Sequence, residues 1–213
     1  MSAGSTQGGG FPPDSKPKCL FHYDGEVILE MQVRVLREAG INDITVVAGY
    51  KIDLVQRFNK DNQLGVNVLY NPTAASDKIG SRGWVKGIET AKIGVRSADD
   101  DVLLIFGDVL LTLEGIKKVV EDENRCASVY SGSGYQLYKI PKALIPDLIK
   151  YSGPGGGMMA LHQFCVDNNG IRLVLGIGSV SDAWRSTCKT KIVQLAAAMH
   201  DIDYFYQTDE GKG

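Results

Sequence analysis

Two groups of residues in this 213-residue chain are of the types that handle phosphate. The first twenty positions hold Ala3-Gly4, the run Gly8-Gly9-Gly10 and then Lys16-Pro17-Lys18. A glycine-dense loop has few side chains in the way, so its backbone N–H groups can approach and bond phosphate oxygens. A lysine just beyond it supplies a mobile positive charge for the same oxygens. The second group is Gly107-Asp108, which follows the apolar run Val102-Leu103-Leu104-Ile105-Phe106. A carboxylate beside a glycine leaves room for a ligand and suits Mg²⁺, a hard cation that takes a few carboxylates plus phosphate oxygens. Plainer readings stand beside these. A Gly-, Ser- and Pro-rich N-terminus also has the composition of a flexible tail, and an aspartate after a strand also serves as a helix cap or turn residue. Asp99-Asp100-Asp101 precedes its strand and reads as a solvated turn. Asp201-Ile202-Asp203 lies near the terminus, after the last helix, and reads as a decoy.

The elements that must position these residues follow from apolar periodicity. Residues 26–39 form an amphipathic helix, with Val27, Ile28, Met31, Val35 and Leu36 recurring near the helical period. Gly40 stops it. A β-branched strand follows at 44–48, then a helix at 54–59 capped by Asp53. A strand is expected at 66–70, a helix at 84–92, and at 102–106 an apolar strand of the kind buried on both faces. Helix 113–121 and strand 126–130 complete an alternation that predicts a parallel sheet with right-handed βαβ crossovers. Beyond residue 131 the pattern mixes. It predicts a strand at 135–140, a helix at 142–151 with Pro146 near a bend, and a helix at 158–166 ended by the Asn168-Asn169-Gly170 turn signal. A strand at 171–177 and a last helix at 191–199 follow. No repeat or linker divides the chain, so residues 1–213 read as one α/β domain. In an open parallel sheet ligands gather at the C-terminal ends of the strands, which favours Gly107-Asp108 and places Asp99-Asp100-Asp101 at the wrong end.

Composition narrows the partners. The net charge of −2 offers no basic excess, so nucleic acid and anionic membranes are not expected. No apolar run approaches the roughly 20 residues that span a bilayer. No positively charged segment followed by an apolar one opens the chain, so no signal peptide is expected, and the location expected is cytoplasmic. Cys19, Cys126, Cys165 and Cys188 form no CxxC pair and read as buried thiols rather than a zinc site.

With these residues in hand, the chain resembles the nucleotidyltransferases that make nucleotide sugars and CDP-choline-like compounds, including their MobA-like branch. Ala3-Gly4 and Pro17-Lys18 match the family's signature loop and its Pro-Lys pair. "KPKCL" followed by "DGEVILEMQVRVLREAGINDITVVAGYK" resembles the loop, helix and second strand. Leu104-Ile105-Phe106-Gly107-Asp108-Val109 resembles its metal-binding segment. In "NPTAASDKIGSRGWVKGIETA", Gly80 and Ser81 match small residues near the nucleoside.

The resemblance implies a three-layer α/β/α fold with a mostly parallel sheet, the nucleotide-diphospho-sugar transferase architecture. Residues 1–140 would bind nucleotide and 141–213 the acceptor. It also implies a Mg²⁺-dependent transfer of a nucleotidyl group from an NTP to a small phosphorylated acceptor. Ala3, Gly4, Gly8, Gly9, Gly10, Gly80 and Ser81 would contact the nucleotide, and Lys18 would stabilise phosphate charge. Asp108 would hold the metal, with Asp182 in "GSVSDAW" as second carboxylate or as a turn residue.

Two departures accompany the match. Gly8 stands where the family carries an arginine against the leaving pyrophosphate. Met1 falls where the family's first strand ends, which predicts unpaired neighbouring edges in the sheet. The same residues also allow a non-catalytic nucleotide-binding or assembly relative, or a nucleotide-sugar glycosyltransferase. A dinucleotide-dependent dehydrogenase lacks its G-x-G-x-x-G. Nucleobase, acceptor and self-association into a homo-oligomer stay open.

Overall fold

A computed structural model describes residues 16–74, 85–121, 126–131, 134–152, 157–174 and 178–179. The chain opens on a hairpin of β1 (His22–Tyr23) and β2 (Glu26–Val27), paired His22 with Val27 and Tyr23 with Glu26. Its turn is Asp24-Gly25, with φ of 52° and 84°. Two consecutive positive φ values are what a type I′ hairpin turn demands, and Asp-Gly supplies them at low strain. The hairpin takes the first two residues of the expected helix, so α1 runs Ile28–Glu38. At its end Gly40 (φ 86°) donates to the Arg37 carbonyl and Ile41 to the Leu36 carbonyl, a Schellman stop.

β3 (Thr45–Ala48), α2 (Ile52–Asp61) and β4 (Asn67–Tyr70) form one βαβ unit, with β3 and β4 parallel. The residue ahead of α2 is Lys51, held at φ 46° without a side-chain cap. Asp53 lies inside the first turn, where its charge favours the helix dipole but caps nothing.

After α3 (Val85–Val95) come β5 (Val102–Ile105), β6 (Val109–Leu110), α4 (Leu113–Glu121), β7 (Ala127–Ser131) and β8 (Gly134–Ile140). A 3-10 turn at Lys142–Leu144 leads into α5 (Ile145–Lys150). Pro146 therefore opens that helix, where its missing N–H costs nothing, and does not bend it. The described chain ends with α6 (Gly157–Asp167), β9 (Ile171–Val174) and β10 (Gly178–Ser179). The helix expected at 191–199 lies outside the described residues, and among those described no helix is long and apolar enough to cross a membrane.

The α/β class holds, but a mostly parallel sheet does not appear among the described residues. Four of the six strand pairings are antiparallel. The four-stranded sheet runs in the order β5-β8-β7-β9. β7 turns back directly into β8, with Ser131 opposite Gly134, and a strand that returns through so short a connection must be antiparallel. β8 then inserts beside β5, also antiparallel.

Between β3 and β5 lies a cavity of about 540 Å³. It is lined by Thr45, Val46 and Val47 of β3, by all of Val102–Ile105, by Leu29, Val33 and Leu36 of α1, and by Gly94 of α3. Consecutive strand residues alternate between faces, so a cavity that touches four in a row runs along the strand's edge. Among the described residues β3 pairs with β4 and β5 with β8, and the cavity separates the two sheets.

Packing divides in the same way. Cys19, Leu20, Leu29, Val33, Val46 and Val55 form one buried group, whereas Phe21, Ile28, Met31, Val35, Val109 and Ile116 form another. α1 contributes to both, which explains why it is buried on nearly every side except Arg34, Arg37 and Glu38. A third group joins α5 and α6 to β8 through Tyr138, Ile140, Leu148, Leu161 and Phe164. Cys19, Cys126 and Cys165 are buried thiols outside any disulfide, and Cys188 lies outside the described residues. The hydrogen bond with Cys126, reinforced by burial, raises the Cys165 pKa.

α6 ends on Asn169 at φ 55°, with Gly170 donating to the Cys165 carbonyl at 2.7 Å. A Cβ on Gly170 would meet the backbone oxygens of Cys165 and Cys126 at 2.6 and 2.7 Å. Gly170→Ala is therefore expected to cost about 2–3 kcal/mol in a denaturant melt, since backbone must shift to admit it. A wild-type midpoint would show that the turn has slack.

Candidate functional site

Lys18 sits in the 3-10 turn Lys18–Leu20, where Leu20 donates to the Pro17 carbonyl at 2.8 Å. The next three residues, Cys19, Leu20 and Phe21, are buried and anchor the turn in the core. Phe21 also accepts a bond from Ile28 at 2.9 Å, which ties the turn to the start of α1. Lys18 itself is left at the surface with its stem fixed.

Asp108 is placed by β5. The strand ends at Ile105, the chain turns through Gly107-Asp108, and β6 begins at Val109. Phe106 rests edge-on against Tyr138 at 6.4 Å, and Val109 is fully buried. Lys18 Nζ then meets Asp108 Oδ2 at 3.1 Å, across 90 residues of sequence. The two side chains are 21% and 22% exposed, enough for a ligand to reach both. A pair this accessible contributes little to stability, so its residue types need another explanation than holding the fold together.

Of the residues singled out from sequence, the structure brings together Lys18 and Asp108. Ala3, Gly4, Gly8, Gly9, Gly10, Gly80, Ser81 and Asp182 lie outside the described residues. β10 pairs with β6, Ser179 opposite Val109, in a register that runs toward Asp108. Asp101, at the start of β5, accepts from the Lys142 N–H at 2.9 Å, and the buried Lys139 ammonium lies 4.0 Å from it. It is a structural carboxylate at the opposite end of the strand from Asp108.

Three features escaped the sequence reading. The Asp24-Gly25 hairpin was signalled by its dipeptide. Asn71, which reads only as a strand breaker before Pro72, is fully buried. It donates to Thr90 Oγ1 at 2.7 Å and accepts from the Thr73 N–H and hydroxyl at 3.0 and 2.7 Å. Asn71 thus ties the end of β4 to α3, on either side of residues 75–84. Gln32 is a buried amide in the apolar run of α1. It bonds the Phe106 carbonyl at 3.0 Å and the Val109 carbonyl at 2.8 Å. A polar residue inside an apolar helical stripe was the available signal.

Among the described residues no group of three or more His, Cys, Asp or Glu side chains is placed to hold a metal by itself. Mg²⁺ needs no such cage. It binds through one or two carboxylates, and water and substrate phosphates complete its octahedron. A single accessible carboxylate of hard oxygens fits that pattern.

The chain as a whole is similar to known proteins. Residues 7–168 match the family model for the MobA-like NTP transferase domain. A curated relative, the CTP:phosphoglutamine cytidylyltransferase of Campylobacter jejuni, is 25% identical over 133 residues, or 58% of this chain and 47% of that protein. The chain thus spans about half the length of that relative. Among solved structures, the inositol-1-phosphate CTP transferase of T. maritima superposes with a TM-score of 0.59 at 13% identity, covering 87% of this chain and 88% of that one. The CTP:phosphocholine cytidylyltransferase of Streptococcus pneumoniae gives a TM-score of 0.55 at 16% identity, over 81% and 89%. At such identities the structural matches speak for the fold alone.

Proposed function

The chain belongs to the MobA-like NTP transferase family, and from that premise we propose that it moves a nucleoside monophosphate from an NTP onto a small phosphorylated acceptor. An acceptor phosphate oxygen attacks the α-phosphorus. A bond to that oxygen forms, the bond to the bridging oxygen breaks, and pyrophosphate leaves. The observation that carries the proposal is the accessible Lys18–Asp108 pair, drawn from two distant segments to one end of β5.

Asp108 would hold a divalent cation, proposed as Mg²⁺, with Asp182 as second carboxylate. The cation would polarise the phosphoryl oxygens and neutralise their charge. In the free protein Lys18 occupies the Asp108 carboxylate, and on nucleotide binding its ammonium would turn to the triphosphate. There it stabilises charge that grows as pyrophosphate departs. Gly8, Gly9 and Gly10, with Ala3 and Gly4, would offer backbone N–H groups to the phosphates, and Gly80 and Ser81 would border the nucleoside.

CTP is the first donor to test, because the curated relative compared above is named for CTP-dependent transfer. The test is calorimetric titration with each NTP in the presence of Mg²⁺, followed by pyrophosphate release with phosphorylated alcohols and sugar 1-phosphates. Micromolar to sub-millimolar binding and acceptor-dependent release are expected. No binding of any NTP at millimolar concentration would overturn the proposal. A second reading rests on Gly8, which leaves the loop without an arginine: a nucleotide-binding relative without turnover. It predicts binding in the first assay and no pyrophosphate in the second.

A further inference from the structure

We propose that Gln32 is a positioning residue that fixes the Gly107-Asp108 turn from the opposite side of the sheet's edge. The inference rests on the transferase reading only for its catalytic consequence. The clamp itself stands on geometry. Gln32 lies in the middle of α1 and is 7% exposed. Its Nε2 donates to the carbonyls of Phe106 at 3.0 Å and of Val109 at 2.8 Å, partners 74 and 77 residues away. Those two residues bracket Gly107-Asp108, so one amide holds both ends of the four-residue turn.

An aliphatic side chain would suit the surroundings of α1 better, because Met31, Val33, Val35 and Leu36 are all buried there. Burying an amide is costly unless its polar groups are bonded, and here its NH₂ group spends itself on a single turn. The Val109 N–H bonds the Phe106 carbonyl at 3.3 Å, a long contact that leaves the turn weakly closed by its own backbone. The Gln32 bonds are shorter and come from a helix packed on both sides. They set where the Asp108 carboxylate sits relative to Lys18, whose turn is joined to the same helix through Phe21.

A side chain that orients a metal-holding or charge-bearing group typically changes function 10- to 100-fold when removed. Gln32→Met keeps the volume and deletes both bonds, and Gln32→Glu keeps the shape but presents a carboxylate to two carbonyl oxygens. Amide exchange of the peptide covering 106–110 should quicken at least tenfold in Gln32→Met, with peptides of α4 and α6 unchanged. In the transferase assay kcat should fall 10- to 100-fold with KM for the NTP within about threefold. Gln32→Glu, which can donate only when protonated, should regain activity relative to wild type as the pH is lowered. A merely structural role would lower the melting temperature, quicken exchange everywhere and leave kcat per folded molecule unchanged. Any of the following overturns the proposal: unchanged exchange at 106–110, uniform loss of protection, or wild-type kcat in folded Gln32→Met. Should wild-type protein release no pyrophosphate, the transferase reading fails alone, and the exchange experiment still decides the clamp.

Discussion

Replacing Asp108 by asparagine is expected to lower kcat/KM for pyrophosphate release about 10³-fold while the melting temperature moves by only a degree or two. The substitution preserves shape and removes one negative charge. Asparagine is a poor ligand for a hard divalent cation, so the charge neutralisation proposed for the α-phosphate is lost. The stability effect is small because the Lys18–Asp108 pair is about one-fifth exposed on each side, and such pairs contribute about 1 kcal/mol or less. Lys18→Met should cost about 10²- to 10³-fold in kcat. Lys18→Arg should rescue little of it, since a planar fork does not replace a compact ammonium. The double variant should be scarcely worse than Asp108→Asn alone, because groups that act on one transition state are not additive. The measurements are steady-state pyrophosphate release and a thermal melt on the same preparations. Full activity in Asp108→Asn would remove this residue from the catalytic machinery.

The largest effect on stability is expected far from that pair. Phe164→Ala should cost about 3–5 kcal/mol, a large part of the roughly 5–15 kcal/mol that holds a domain together. Phe164 is 1% exposed on α6 and meets the Tyr151 ring edge-on at 5.2 Å. It packs with Leu161, Leu148 and Ile145 beneath Tyr138 and Ile140 of β8. The lost transfer energy and the cavity left behind add. Urea denaturation followed by tryptophan fluorescence and circular dichroism would measure it. A loss below about 1 kcal/mol would mean that α6 collapses onto β8 and that the packing there is loose.

The sequence was legible where local signals and tertiary structure agree. Helix α4 has the predicted bounds because Ile116, Val119 and the 113–121 periodicity all point to one face. The turn at Gly107-Asp108 was legible because an apolar strand stops where a glycine and a carboxylate follow it. The start of α1 was misjudged by two residues, since Val27 fits a helical stripe as well as a strand. Only the Asp24-Gly25 turn tells them apart. The antiparallel seating of β8 beside β5 was not legible, because an apolar run does not encode the direction of its neighbour. Gln32 stood out only as a polar residue in an apolar stripe, and what it binds was not legible. Its partners are the main-chain carbonyls of Phe106 and Val109, and a carbonyl carries no residue identity.

The cavity between β3 and β5 gives the Lys18–Asp108 contact a thermodynamic meaning. The Lys18 turn is rooted through Cys19 and Leu20 in the packing group of β3 and through Phe21 in the group that holds Val109, the neighbour of Asp108. Among the described residues no strand joins β3 to β5, and α1 is buried in both groups. A ligand gripped by both residues would tie together segments 90 positions apart in the chain. By linkage such a ligand stabilises the folded chain by RT ln(1 + [L]/Kd), about 2.7 kcal/mol at a hundredfold excess over Kd. By that linkage a bound substrate would become part of what holds the fold together.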